Sequence, residues 1–206
     1  MNSEKLIALT FDDGPNLTTT VEILDLLEKS GIPASFFLIG KNISESTESI
    51  IRREIRQGCD ICCHSTAHRV MSEMTEAEIA EDIGTCVEKI EAVTGKKPAF
   101  FRAPYLAVSE TLLKAVSMTF ISGIGSEDWV SSVTAETRAE RILANAQDGQ
   151  IVLLHDFTGN SNTVEAMDLL IPALKEQGYE FVTISELFKR KGIKPQHNKI
   201  YTNVLE

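Results

Sequence analysis

The sequence predicts an α/β fold with a parallel sheet, either open or closed into a barrel, and three observations carry that expectation. Short apolar runs alternate with amphipathic segments along the chain. Glycines 31, 58 and 95 stop the amphipathic segments. His, Asp and Arg side chains follow directly after several apolar runs, and parallel α/β folds gather their chemistry on loops beyond the C-terminal ends of strands.

In order, residues 6–11 are an apolar run closed by the turn signal Gly14-Pro15, which reads as a buried strand. Residues 20–30 place Val21, Ile23, Leu24, Leu26 and Leu27 on one side of a helix that ends at Gly31. A second strand is expected at 34–39, a helix at 50–57 and a short strand at 60–63. The helix expected over 75–94 opens with Thr75 and Glu78, the spacing of a capping box. Further strands are expected at 100–101, 121–124, 151–154 and 181–184, with helices at 109–116, 135–146, 163–177 and 185–190. No repeat, low-complexity stretch or linker interrupts the 206 residues, so 1–206 reads as a single catalytic domain.

Composition narrows the function. The formal net charge of −10 disfavours nucleic acid and anionic membrane as partners, because both are bound by clustered Lys and Arg. The densest basic group, residues 189–194, reads as a solvated helix end. Apolar runs such as 151–154 are far too short to span a bilayer. No basic region followed by an apolar stretch opens the chain, which points to the cytoplasm, or to secretion if a leader has been trimmed. Of the four cysteines, Cys59, Cys62 and Cys63 crowd one segment, poor geometry for a disulfide scaffold, and read as packed hydrophobes in a reducing compartment. Oligomeric state is not legible.

The chemistry-bearing residues are Asp12 and Asp13 after the first strand, His64 and His68 after the third, Arg102 after Phe101, Asp128 shortly after Ile124, and His155 with Asp156 after Leu154. So many on strand ends point to one shared site. The spacing of His64 and His68 on one helical turn would project both imidazoles from the same side. Two His and an Asp suit a divalent, zinc-like ion that keeps an open position. Of the adjacent carboxylates, one could ligate and the other take a proton, with Arg102 keeping the latter ionised. His155, on a different strand end, is a candidate general acid.

Thr10-Phe11-Asp12-Asp13-Gly14-Pro15 resembles the first signature of the polysaccharide deacetylases, the NodB-homology or carbohydrate esterase family 4 proteins. His64-Ser65-Thr66-Ala67-His68, Arg102-Ala103-Pro104-Tyr105, Asp128-Trp129 and Leu153-Leu154-His155-Asp156 resemble the remaining signatures in order, across residues 6–187. The resemblance implies a distorted (β/α) barrel of seven or eight strands. It implies Asp13, His64 and His68 as metal ligands, Asp12 as catalytic base tethered by Arg102, and His155 as general acid oriented by Asp128. It also implies the backbone N–H of Tyr105 at the oxyanion, with Leu153 and Trp129 around the acetyl methyl group. The implied reaction is hydrolysis of an acetyl amide or ester on a carbohydrate, of chitin, peptidoglycan or acetyl-xylan type, with zinc as the first expectation and cobalt or nickel as alternatives. Two features depart from the family pattern: Ala103 stands where Pro is usual, and Cys62 and Cys63 precede the His signature. Two rival readings remain, a hydrolase of a small non-sugar amide and a carbohydrate binder that has lost catalysis. Exposed aromatic platforms would favour a sugar; a closed, charged pocket would favour a small molecule. With aromatics at 6%, Tyr105 and Trp129 are the ones to watch.

Overall fold

The computed structural model describes residues 4–206. Its strands are β1 (Lys5–Asp12), β2 (Ser35–Leu38), β3 (Asp60–Cys63), β4 (Phe100–Phe101), β5 (Thr119–Ile121), β6 (Ile124–Gly125), β7 (Gln150–His155), β8 (Tyr179–Phe181) and β9 (Ile200–Tyr201). The helices are α1 (Thr19–Ser30), α2 (Glu48–Arg56), α3 (Glu76–Thr94), α4 (Glu110–Ala115), α5 (Ala135–Asn145), α6 (Ser161–Glu176) and α7 (Ile184–Arg190). The strands pair in the order β6-β7-β1-β2-β3-β4-β5-β9, all parallel, and β8 joins the N-terminal end of β1. The sheet curls into a half-barrel, the distorted form of the barrel expected above. The gap between β5 and β7 is laced by the C-terminal tail: Ser122 N–H donates to Tyr201 O (2.8 Å) and Ile151 N–H to Thr202 O (3.2 Å).

Both faces of this sheet are buried, so its strands read as continuous apolar runs. The two-residue period divides them. Ile7, Leu9, Phe11, Phe36, Leu38, Cys63, Phe101, Val152 and Leu154 belong to a cluster shared with the helices. Leu6, Ala8, Phe37, Cys62, Phe100, Ile121 and Ile151 fill a second cluster inside the curl. Continuing the inner phase of β1 gives Thr10 and then Asp12, so the pleat turns Asp12 inward, above a plug of apolar side chains.

The capping box is present: Thr75 Oγ1 accepts from Glu78 N–H, and Glu78 Oε2 accepts from Thr75 N–H (2.8 Å). Gly31, in the left-handed region at φ 64°, ends α1. Three expectations need correction. The strand expected at 121–124 is two short strands, because the chain breaks at Ser122, whose carbonyl accepts from Arg102 Nη2 (2.7 Å). The strand expected at 181–184 ends at Phe181, because Thr183 caps α7. The helical turn expected at 64–68 is a loop, with Ser65 and His68 at positive φ (65° and 51°). Among the described residues, no helix is long and apolar enough to cross a membrane. All four cysteines are free and buried; burial pushes the Cys59 thiol up to about 12 and holds Cys62 and Cys63 well above the usual thiol range.

Candidate active site

Asp12, Asp13, His64, His68, Ala103, Tyr105, Trp129, Leu153 and His155 line one cleft of about 490 Å³ at the C-terminal ends of the strands. Arg102 and Asp128 stand directly behind it, both fully buried. The residues given a site role from the sequence therefore meet at this one place.

Asp13 follows Asp12 but leaves the strand phase, with φ at 82°. Its Oδ1 is 3.5 Å from His64 Nε2 and 3.4 Å from His68 Nε2. One donor atom from each of the three residues lies within 4.8 Å of the others, so the group could hold a metal ion. The chemistry of the donors fits. His64 Nδ1 faces Arg102 O at 2.8 Å, which places the ring proton there and leaves Nε2 as a free lone pair. Burial, opposed by Asp12 and Asp13, lowers the His64 pKa and keeps the ring neutral. Asp13 Oδ1 is buried without a hydrogen-bond partner, a costly condition that a cation would relieve. The loop that brings His68 round to His64, with ring centroids 4.9 Å apart, is pinned by Asp82 on α3, which accepts from Thr66 N–H (2.6 Å) and Thr66 Oγ1 (2.6 Å, through its carbonyl).

Asp12 is held differently. Arg102 Nη1 donates to Asp12 Oδ1 (2.5 Å) and Nη2 to Thr10 Oγ1 (2.8 Å), while the guanidinium lies 4.1 Å from the Phe37 ring centroid. Burial pushes the Asp12 pKa up, but Arg102, His64 and His155 together outweigh it and bring it below the ordinary value. Asp12 therefore stays ionised.

His155 sits across the cleft. Its Nδ1 is 2.8 Å from Asp128 Oδ1, and its backbone N–H donates to Asp128 Oδ2 (2.7 Å). Burial favours the neutral ring, but Asp128, then Asp12 and Asp13, outweigh it and raise the His155 pKa to about 9. Nε2 thus carries a proton at neutral pH. Tyr105 and Trp129 flank the opening, 66% and 54% exposed; Trp129 stands edge-on to His155 (5.6 Å) and Tyr105 edge-on to His68 (4.7 Å).

Several residues around the cleft had no role assigned from the sequence. Thr163 Oγ1 donates to Asp128 Oδ2 (2.9 Å), and Arg138, almost fully buried, donates to Thr163 Oγ1 (2.8 Å) and Asn160 Oδ1 (2.7 Å). Gly123 and Gly125 line the cleft; a Cβ on Gly123 would sit 3.0 Å from Leu153 Cβ and 3.1 Å from Ile151 O, so the chain entering β6 runs close against β7. Asp156 lies under the Gly14 turn, where a Cβ on Gly14 would collide with its Oδ2. Burial first, then Asp13 and Asp12, raise Asp156 to about 7 against the stabilising Thr20 hydroxyl and Gly14 N–H. The Gly123-Ile124-Gly125 alternation was a usable signal; Thr163 and Arg138 looked like ordinary helix residues, and Asn160 like part of the turn before one.

A family profile for polysaccharide deacetylases matches residues 1–121. The chain belongs to the polysaccharide deacetylase family. It is 46% identical over 203 residues to a bifunctional xylanase/deacetylase of Pseudobutyrivibrio xylanivorans, covering 98% of this chain and 34% of that protein. It is 34% identical over 190 residues to the peptidoglycan-N-acetylglucosamine deacetylase PgdA of Listeria monocytogenes, covering 92% of this chain and 40% of that one. The chain thus spans between a third and two fifths of the length of these relatives. A family 4 acetyl xylan esterase from Clostridium thermocellum, in complex with a cobalt ion, superposes with a TM-score of 0.94 at 41% identity, covering 97% of this chain and 99% of that one. The family membership and the NodB-homology fold implied by the signatures therefore stand.

Proposed function

We propose that this family member is a metal-dependent hydrolase that removes acetyl groups from a carbohydrate, with O-acetylated xylan or xylo-oligosaccharide as the first substrate class. The observation that carries the reading is the convergence of a ligand-type trio, an ionised Asp12 and a protonated His155 between two exposed aromatic rings. A buried ionised carboxylate facing a protonated imidazole is the division of labour that acid–base hydrolysis needs. The acetyl xylan esterase and the xylanase/deacetylase among the relatives favour xylan; the peptidoglycan deacetylase supports N-acetyl amino sugars as the second class.

In this reading Asp13, His64 and His68 hold a divalent ion, zinc first with cobalt or nickel as alternatives. When bound, the ion polarises the acetyl carbonyl and lowers the pKa of water in the site. Asp12, fixed and kept ionised by Arg102, takes the proton from the attacking water. The backbone N–H of Tyr105 faces the oxygen that becomes negative; losing one such donor typically costs roughly 2.7–4 kcal/mol in the barrier. Leu153 and Trp129 enclose the acetyl methyl group and exclude water. His155 Nε2 then delivers its proton to the departing sugar oxygen or nitrogen, while Asp128 holds the ring and stabilises its charge. The buried, unpaired thiols support a compartment that keeps them reduced.

The test is acetate release from acetylated xylo-oligomers and N-acetylglucosamine oligomers by metal-stripped, zinc- or cobalt-reloaded and Asp12→Asn protein. Release that needs the metal and disappears in the variant supports the reading, and the better substrate names the class. Tight metal binding with no release from either substrate would move the assignment to a small-amide hydrolase or a non-catalytic sugar binder.

A further inference from the structure

A second cleft, of about 650 Å³, meets the first at Asp13 and His68, which line both. Its lining, which does not include Trp129, carries Asn16, Thr18, Lys41, Asn42 and Ser44. Because the two clefts share Asp13 and His68, an oligosaccharide bound in the first has room to extend into the second.

The wall carrying Lys41 is tied to the ligand-bearing segments. In the turn Gly40–Asn42, Gly40 N–H donates to Ser65 O (2.9 Å) and Lys41 N–H to Thr66 O (2.9 Å), both between His64 and His68. Asn42 Nδ2 donates to Asp13 O (2.7 Å). Gly40 is needed for this approach, since a Cβ there would lie 3.0 Å from Thr66 Oγ1 and 3.2 Å from Cys86 Cα. Lys89 braces the turn from behind, its Nζ donating to Gly40 O (2.8 Å). Lys41, by contrast, is exposed, and among the described residues its ammonium makes no hydrogen bond or ion pair.

Charge then selects the occupant. Asp13 is the one carboxylate lining the second cleft, and it stands at the end where the ion would be held. The rest of the lining carries a free ammonium in a chain of net charge −10. Beyond Asp13, the Lys41 ammonium is the one charged group of that lining, and with hydroxyl and amide groups beside it, it suits a sugar that bears an anion.

We propose that this second cleft binds the sugar unit next to the one being deacetylated, and that Lys41 selects a unit carrying a carboxylate. The shared chemistry is a sugar-borne carboxylate, either a uronic acid on a xylan-type chain or a lactyl ether on a muramic-acid-type chain. The inference rests on the deacetylase reading above and specifies its substrate.

The experiment measures kcat/KM for acetate release by the metal-loaded protein on two matched pairs. One pair is acetylated xylo-oligomers with and without a uronic acid branch. The other is N-acetylglucosamine oligomers with and without a muramic acid unit. The carboxylate-bearing member of one pair is expected to be preferred by about threefold to fivefold, through KM and fading with added salt, the size of a solvent-exposed ion pair. Lys41→Met should erase that ratio and Lys41→Glu invert it; a folding defect lowers both members of a pair alike, so the ratio stays readable. The responding pair names the source of the carboxylate. Equal turnover within both pairs in the unaltered protein, or a preference that survives Lys41→Met, would overturn the inference while leaving the deacetylase reading intact. No acetate from any of the four oligomers would overturn that reading and this one together.

Discussion

The two walls of the cleft each contain a carboxylate, a buried arginine and a functional side chain, yet they are wired in opposite senses. On the β1 wall Arg102 contacts Asp12 directly, and the cation depresses the pKa of the carboxylate that faces the cleft. On the β7 wall Arg138 stops one residue short: it bonds the neutral side chains of Thr163 and Asn160, leaving Asp128 free to pair with His155. One arginine keeps its carboxylate ionised toward the cleft; the other frames a carboxylate that keeps an imidazole charged. The lesson is that the placement of a buried cation, in direct contact or one hydroxyl away, decides whether a wall presents an ionised carboxylate or a charged imidazole to the cleft.

The strongest way to break this comparison is to remove the cleft-facing groups. Asp12→Asn is expected to lower kcat by about 10²–10⁴-fold, the usual worth of a general base, while metal content stays at the unaltered level because Asp12 is outside the ligand trio. Acetate release together with metal analysis checks this, and a loss below tenfold would remove Asp12 from the role. His155→Gln should match it, more severely on an N-acetyl amide than on an O-acetyl ester, since the nitrogen leaves poorly without a proton.

Arg102→Met comes next. It strands a carboxylate that is 2% exposed, so urea unfolding should show about 3–5 kcal/mol of lost stability at neutral pH. Burial, no longer opposed by the guanidinium, would push the Asp12 pKa up, so the variant should lose less stability as the pH falls.

The donor wall is sharpened by titration. With His155 raised to about 9, its stabilising effect is fully present below the ordinary histidine value of 6.5 and is lost as pH rises through about 9. Activity limited by a protonated His155 should follow the same alkaline limb. Asp128→Asn removes the main group that raises this pKa, and the limb should move down toward or below 6.5. A limb that stays near 9 would show that Asp128 does not govern the proton.

Arg138→Met should have the smallest effect. Its partners are neutral, so about 1–3 kcal/mol of stability is expected to go with its hydrogen bonds, and the alkaline limb should hardly move. A loss as large as that of Arg102→Met would erase the distinction between the two arginines.

The sequence made much of this legible, for identifiable reasons. Strands that are buried on both faces advertise themselves as apolar runs, so β1, β3, β4 and β7 were placed within a residue or so at each end. Side chains that touch the cleft follow those runs directly. The misses share a different cause. The 121–124 strand was broken by a tertiary bond from Arg102 to Ser122 O, invisible at 20 residues' separation. The 64–68 loop was read as helical because i, i+4 spacing suits a helix, whereas left-handed backbone at Ser65 and His68 brings the two rings together here. The helpers Asp82, Arg138 and Thr163 sit on helices whose periodicity explains them without any role.

The C-terminal lacing has a consequence for how such a chain can be joined to others. Asn203 Nδ2 donates to Asp148 O (2.9 Å), and Asp148 Oδ1 accepts from Leu6 N–H (2.8 Å) at the start of β1. Lys191 Nζ bridges Glu4 O (2.7 Å) and the same aspartate. Both ends of the described chain therefore meet around one residue, at the start of β7 and far from the strand ends that carry the cleft. A polypeptide spliced onto either end departs from the side opposite the cleft, and a short loop joining the two ends would leave the cleft untouched. That geometry makes the domain a portable cassette, whose ends can be joined to other polypeptide without crossing the cleft.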